Sequence, residues 1–285
     1  MTQHIKDSKI LITGLARDCG ITIKKSISII DKAFEFFKER HWIIIESDSK
    51  DNTLNEIRSI SSEISMKLIS LGKIEEKFPG RLERLAHCRN VYLNEINKKN
   101  YDEFSYVAVV DLDGVNDSLL FNSVKSCWEI PFSWDACFAN QSAPYYDIFA
   151  LRKLGWISTD YSQLFERLLN KNIKKRIAMN YSLKSKIIKI PPSFKPIRVD
   201  SAFGGLGIYK KKLFKESKYS NLDFRRNEIS EHVGFHLNLK KIKPKLFINP
   251  KLINGGWNEH TKRVKFHYFF SSFLRKFLKR KKLFL

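Results

Sequence analysis

Two aspartates spaced one apart, Asp111 and Asp113, close the apolar run of FSYVAVVDLDGVN (Phe104–Asn116), and Gly114 follows at once. Successive strand side chains point to opposite faces, so residues i and i+2 share a face and can converge on one cation. The glycine lets the backbone turn sharply just beyond them. A carboxylate pair at the carboxyl end of a buried strand stands where an open α/β sheet takes its ligands. Oxygen-only ligation suits a hard cation, Mg²⁺ or Mn²⁺, carrying a substrate diphosphate. The competing reading is that the aspartates only cap a turn through their own side chains.

Further polar groups cluster in a few short segments. ESDSKDNT (Glu46–Thr53) offers carboxylate, hydroxyl and amide groups that can grip a base or ribose, although Ser47, Asp48 and Asn52 could equally cap a helix starting near Thr53. RLERLAHCRN (Arg81–Asn90) carries Arg81, Arg84 and Arg89, and a guanidinium fork donates two parallel bonds to a diphosphate. A solvated basic helix face is the alternative, and Arg89–Asn90 is the pair retained. YYDIFALR (Tyr145–Arg152) sets Asp147 among aromatics, where it needs a partner: an acceptor hydroxyl, or Arg152 in a salt bridge. In SAFGGLGIY, Gly204 and Gly205 permit close backbone approach to a ligand, or a bulge. ISEHVGFHLNL presents Glu231, a candidate base or acceptor-positioning group, with His232 and His236 on one helix face. No H-E-x-x-H accompanies them, which argues against zinc. His260, after the Gly255–Gly256 pair, could reach back to a metal.

Elements to hold these groups follow from periodicity. Lys9–Gly14 reads as a buried strand. Thr22–Arg40 carries Ile23, Ile27, Ile30, Ala33, Phe34 and Phe37 at helical spacing. Trp42–Ile45 is a second strand, Leu54–Leu71 a second helix, Arg81–Asn97 a third, and Tyr106–Val110 the strand feeding the aspartates. Such alternation predicts parallel strands joined by right-handed crossovers. The first 120 residues are therefore expected to be a nucleotide-binding half with three strand ends facing one crevice. Beyond it the texture changes to an aromatic-rich stretch without clear period. Basic Leu164–Lys195, ending at Pro191–Pro192, reads as a loop or insertion. Val199–Tyr209 has strand character, Ile229–Leu239 is helical, and Lys245–Ile248 is a last strand.

Composition bounds the partners. The 285 residues, 43% hydrophobic with 22 phenylalanines, can fill a core, which excludes a disordered chain. Net charge of +22 calls for an anionic partner: phosphate-rich ligand, nucleic acid or membrane. Cys19, Cys88, Cys127 and Cys137 show no metal-finger spacing and read as reduced, buried thiols. Neither a signal-peptide profile nor a transmembrane run is present, so a cytoplasmic protein is expected, peripheral at the inner face of the cell membrane. The attachment would be the tail, Lys262–Leu285. It has nine Lys/Arg, no acidic residue, and phenylalanines at helical spacing, as an interfacial helix on anionic lipid requires.

Taken in order, GLARDCG (Gly14–Gly20), ESDSKDNT, CRN, VVDLDGVN, YYDIFALR, SAFGGLGIY and EHVGFHLNL resemble the GT-A glycosyltransferases. The narrower likeness is to the cryptococcal capsule-associated α-1,3-mannosyltransferase (CAP59-like) and Anp1-type families, over most of Ile10–Trp257. The resemblance implies an α/β, Rossmann-like single domain at 1–261 with a mixed central sheet flanked by helices. Residues 1–120 would be its nucleotide-binding half and 121–261 its acceptor half, with a basic amphipathic C-terminal helix at 262–285. It implies a nucleotide-sugar donor contacted by Arg17, Glu46, Asp51, Thr53, Arg89 and Asp111. Mn²⁺ or Mg²⁺ would be held by Asp111, Asp113 and His260, and Glu231, His232 and Asp147 would be catalytic. The named relatives are retaining enzymes; the acceptor would be a glycan or lipid-linked saccharide in cell-surface polysaccharide or lipopolysaccharide synthesis. Two rivals remain. A nucleotidyltransferase would show a Gly-rich N-terminal signature, of which GLARDCG is a poor example. A nucleic-acid-binding protein would show a binding motif, and none appears, so nucleic acid is not an expected partner.

Overall fold

The structure, a computed structural model, describes residues 5–257. His260 and the tail from Lys262 fall outside the described residues. The first half runs β1 (Lys9–Ala16), α1 (Ile23–Ala33), β2 (Glu39–Glu46), α2 (Thr53–Ile60), β3 (Met66–Ser70), α3 (Arg81–Ile96) and β4 (Phe104–Asp111). There follow α4 (Phe121–Lys125), β5 (Ala136–Gln141), α5 (Tyr161–Leu169), α6 (Lys175–Ser182), β6 (Ile197–Val199), β7 (Leu206–Lys210), α7 (Glu231–Asn238) and β8 (Leu246–Gly255).

All eight strands join one sheet in the order β3-β2-β1-β4-β7-β5-β8-β6. Strands β1 to β4 are mutually parallel, as the strand–helix alternation predicts. β7 runs antiparallel between β4 and β5, β8 is parallel to β5, and β6 closes the far edge antiparallel to β8. The protein is thus a mixed α/β fold with helices on both faces of a central sheet. Alternating strand residues sort onto the two faces. Leu11, Ile43, Ile45, Val107 and Val109 pack with Cys88, Tyr92 and Leu93 of α3 and Phe235 of α7. Ile10, Ile12, Trp42, Ile44, Ala108 and Val110 pack with Ile23, Ile27 and Ile30 of α1 and Ile57 of α2.

Three departures from the sequence reading have physical reasons. The helix expected over Leu54–Leu71 ends at Ile60, and Met66–Ser70 is the edge strand β3. Serines 61, 62 and 65 favour turns over helix interior, and beyond them the chain alternates faces: Met66 and Leu68 pack on one side of the sheet, Ile69 and Leu71 on the other. The first helix stops at Ala33, and Phe34 and Phe37 are buried from the turn that follows. The basic stretch read as a loop, Leu164–Lys195, holds the end of α5 and all of α6. The four cysteines are free, three of them buried.

Candidate functional site

The carboxyl ends of β1, β2 and β4 finish at one edge of the sheet. Leu15 pairs with Asp111, and Ala16 with Glu46. Since β7 is antiparallel, its amino end, preceded by Gly204 and Gly205, reaches the same edge, with Val110 opposite Leu206. Gln141 of β5 opposite Gly255 of β8 completes it. The segments singled out above therefore converge although they are far apart in sequence.

The loops after β1 and β2 are laced together. Asp51 Oδ2 accepts from Gly20 N (2.9 Å), and its Oδ1 accepts from Thr53 N (2.9 Å) and Thr53 Oγ1 (2.5 Å). Cys19 N donates to Thr53 Oγ1 at 2.8 Å, and Lys50 N to Asp18 Oδ1 at 2.7 Å. The Thr53 hydroxyl, with the backbone bonds, holds Asp51 below the usual carboxylate range. Asp51, rather than Asn52, thus satisfies the first turn of α2. Glu46 is buried and its carboxylate accepts from Ser49 N (3.2 Å) in the following loop and from Ser70 Oγ (2.6 Å) at the end of β3. Arg17 is exposed and its guanidinium reaches Glu75 Oε2 at 3.1 Å.

At the end of β4 the carboxylates crowd. Asp111 is pushed up to about 8, first by desolvation, then by the charge of Asp113, with Asp147 and Glu231 adding and Arg89 opposing. Its side chain keeps 33% of its accessible surface, so solvent reaches it, and the like-charge part of that rise is what a cation relieves. Asp113 lies just past the strand, exposed, with Val115 N donating to its Oδ1 at 3.3 Å. Gly114 turns the chain with φ +91°.

Behind Asp111 lies a buried ion pair. Arg89 of α3 is 4% exposed, and its Nε donates to Glu231 Oε1 at 2.9 Å, while Nη2 approaches Asp111 Oδ1 at 3.6 Å and Nη1 meets Tyr92 Oη at 3.3 Å. Burial works against its charge, and Tyr92, Glu231 and Asp111 more than offset that. Phe203 and Tyr219 rings flank the guanidinium at 5.4 and 5.8 Å. His232 stacks on Phe203 at 3.7 Å and is 3% exposed. Burial, then the charge of Arg89, holds it far below its ordinary range, so the ring is neutral. Neither ring nitrogen has a hydrogen-bond partner, a cost that an incoming polar group would remove. His236 differs: its Nδ1 meets Ser201 Oγ at 2.8 Å and its Nε2 meets Tyr209 Oη at 3.2 Å. Ser201 already donates to Ala150 O, so Nδ1 carries the proton of that ring.

Asp147 faces the acidic cluster from the third side. It does not pair with Arg152, which binds Asp160 Oδ2 at 2.5 Å. Its Oδ2 accepts from Gly204 N at 2.8 Å and its Oδ1 from Ala150 N at 3.1 Å. Gly204 and Gly205, with φ of +72° and +86°, turn so that Gly205 O accepts from Asp111 N at 2.9 Å. A Cβ at Gly205 would meet Val115 Cγ1 at 2.6 Å. The glycine pair therefore serves a close approach of backbone to the β4 loop.

Sequence reasoning missed the amides beneath that loop. Asn116 Nδ2 donates to Asp111 O (2.8 Å) and Gly205 O (3.0 Å); Asn254 Nδ2 donates to Asn116 Oδ1 (2.8 Å) and Gly204 O (2.8 Å). Gln141 Nε2 reaches Gly204 O at 3.1 Å. All three are buried. Asn116 sat inside the quoted VVDLDGVN segment; Asn254 is 138 positions away, and nothing local marks it.

The structure brings Asp111, Asp147, Arg89, Glu231 and His232 together and sets Asp113 directly beyond Asp111. Glu46, Asp51, Thr53 and Arg17 stand along the same strand ends, on the β1–β2 side. Asn90 clamps Tyr219, its Nδ2 donating to Tyr219 O and its Oδ1 accepting from Tyr219 N, both at 2.9 Å. Among the described residues no group of three or more His, Cys, Asp and Glu is arranged to hold a metal unaided. An Asp pair completed by diphosphate oxygens and water is a donor set that Mg²⁺ or Mn²⁺ accepts, and it fits what is present. Nor is any described helix long and apolar enough to cross a membrane.

No protein-family model and no curated protein matches the sequence. Solved structures do resemble it. A mannosyltransferase, PcManGT from Pyrobaculum calidifontis in complex with GDP-Man and Mn²⁺, is 11% identical over 87% of this chain and 56% of that one, with a TM-score of 0.46. S. aureus TarS in complex with UDP-GlcNAc is 12% identical over 88% and 59%, TM-score 0.49. Glucosyl-3-phosphoglycerate synthase from Mycobacterium tuberculosis, with Mn²⁺, UDP and phosphoglyceric acid, is 14% identical over 90% and 71%, TM-score 0.42. The chain spans between 56% and 59% of the length of the first two.

Proposed function

We propose that this chain is a metal-dependent glycosyltransferase of the GT-A kind, moving a sugar from a nucleotide-sugar donor to a glycan or lipid-linked acceptor. The observation that carries the reading is the acidic end of β4. Asp111 ends a parallel central strand and Asp113 follows it; burial first, then the charge of Asp113, with Asp147 and Glu231 adding, raises Asp111 to about 8. Asp113, with help from Asp111, would hold Mn²⁺ or Mg²⁺, which when bound offsets charge on the departing nucleoside diphosphate. The laced loops around Asp51 and Thr53 form a fixed wall for the base and ribose. Glu231 and His232, at the start of α7, would lie near the acceptor. Arg89 orients the Glu231 carboxylate through its Nε, which donates to Oε1 at 2.9 Å.

A thermal-shift titration tests this. Nucleoside diphosphate with Mn²⁺ at about 100 times its Kd contributes about 2.7 kcal/mol, expected to raise Tm by about 5–10 °C. Asp113→Ala, at an exposed position, should fold normally and lose the shift. No stabilisation by any nucleoside diphosphate with Mn²⁺ overturns the reading. A panel of nucleotide sugars screened by donor hydrolysis then identifies the sugar.

A further inference from the structure

The stretch from Arg167 to Arg198 takes no part in the site above, and its chemistry is one-sided: ten Lys/Arg and no Asp or Glu. It forms the end of α5, then α6 and the chain leading into β6. None of α5 is fully buried, and α6 buries only Ala178 and Ser182. On the outward side Ile173, Ile177 and Tyr181 follow at four-residue spacing and are 38%, 55% and 58% exposed. Lys174, Lys175 and Arg176 are exposed between them, and Phe194 is 57% exposed farther on. Ile177 and Tyr181, one turn apart on α6, and Ile173 just before it thus stand exposed among basic side chains, with no acidic residue anywhere from Arg167 to Arg198.

We propose that this hairpin is a docking surface for an anionic lipid bilayer. The apolar stripe enters the headgroup boundary while the long basic stems carry their charges to lipid phosphates. Nucleic acid would satisfy the charges but not isoleucines, which offer bases no stacking surface. A second copy of the chain would set ten like charges against ten. The surface belongs to the described fold and is separate from the tail at 262–285. Tyr145 N donates to Ile188 O at 2.8 Å and Trp156 Nε1 to Lys186 O at 2.8 Å, which fixes the hairpin to the segment carrying Asp147. A bound membrane would therefore have a fixed orientation relative to the strand-end cleft. The proposal goes beyond the transferase reading, and its readout is vesicle binding, so either can fail alone.

Sedimentation of the full chain with phosphatidylcholine vesicles, with and without phosphatidylglycerol, measures the binding, and hydrogen exchange locates it. Binding should require the anionic lipid, and amides across 173–195 should slow on vesicle addition. A basic side chain at an anionic surface is worth about five-fold in partitioning, so Gln at Lys174, Lys175 and Arg176 together should lower it about 100-fold. Ile177→Ser with Tyr181→Ser, both exposed, should lower it at least about ten-fold with Tm unchanged. Binding unaffected by both sets, absence of protection at 173–195, or equal binding to neutral vesicles overturns the proposal. So would duplex DNA binding, or self-association, that protects the same amides and survives the Ile177/Tyr181 change.

Discussion

Arg89 is the residue whose removal tests the architecture of the site most directly. Arg89 and Glu231 are each 4% exposed, and Nε meets Oε1 at 2.9 Å. Arg89→Met keeps most of the volume but strands a buried carboxylate. Breaking such a pair by deleting one partner costs about 3–5 kcal/mol, whereas replacing both with apolar groups is often near neutral. In a chain of this size each kcal/mol moves Tm by about 2–4 °C, so Arg89→Met should lower it by about 6–20 °C. Arg89→Met combined with Glu231→Leu should recover much of that loss. Urea denaturation of the wild type, both single variants and the double variant closes the cycle. Arg89 also opposes the rise of Asp111, so in Arg89→Met that carboxyl should titrate higher still. A single variant costing under about 1 kcal/mol, the cost of an exposed pair, or a double variant as unstable as the sum of the singles, refutes the reasoning.

The pH dependence has a defined sign. Folded Asp111 titrates near 8 against an ordinary 3.8, so between these values the metal-free fold holds a proton that the unfolded chain has released. Stability from this group is full below the lower value and falls as pH climbs through the window. A bound divalent cation displaces that proton, so the Tm gain from Mn²⁺ over EDTA should grow from pH 5 to pH 8; a flat or falling gain would contradict it. Gly205→Ala puts a side chain at φ +86° against Val115 Cγ1, and should cost about 1–3 kcal/mol while loosening nucleotide and Mn²⁺ binding, read by melting and calorimetry. Asn254→Leu removes the donor to Asn116 Oδ1 and one of the two donors to Gly204 O, which keeps Gln141 Nε2, and should destabilise by about 1–3 kcal/mol for the one acceptor left dry. Denaturation midpoints equal to wild type would show that water replaces the amide.

The parallel half was readable because its signals are local. Continuous apolar runs in β1, β2 and β4, buried on both faces, and the helices α1 and α3 lie within single segments, and the strand ends then follow from handed connections. Where local signals conflict, tertiary pairing decides: Met66–Ser70 joins β2 as an edge strand despite apolar spacing that continues α2 on paper. β5 carries no alternation because all of Ala136–Gln141 is buried on both sides, so its residues merge into the aromatic stretch around them. The site divides the same way. Asp111 and Asp113 announce themselves by type and spacing. The Arg89–Glu231 contact joins residues 142 apart, and the floor of Asn116, Asn254 and Gln141 joins three strand ends. No short motif encodes pairings that only the finished sheet creates.

That floor explains how so acidic a corner survives. Asp113, Asp147 and Glu231 each add to the negative charge that Asp111 feels, and Arg89 opposes them from a position closer to Glu231 (2.9 Å) than to Asp111 (3.6 Å). Repulsion would push the Asp111–Asn116 loop outward, and the neutral amides of Asn116 and Asn254 hold it by hydrogen bonds that cancel none of the negative charge. The corner thus keeps a local negative potential inside a chain of net charge +22. A small divalent cation is drawn to the corner, while the surrounding positive field draws a polyanion toward it. Cation and diphosphate each reduce the other's electrostatic penalty there, so Mn²⁺ and nucleoside diphosphate should each tighten the other's binding.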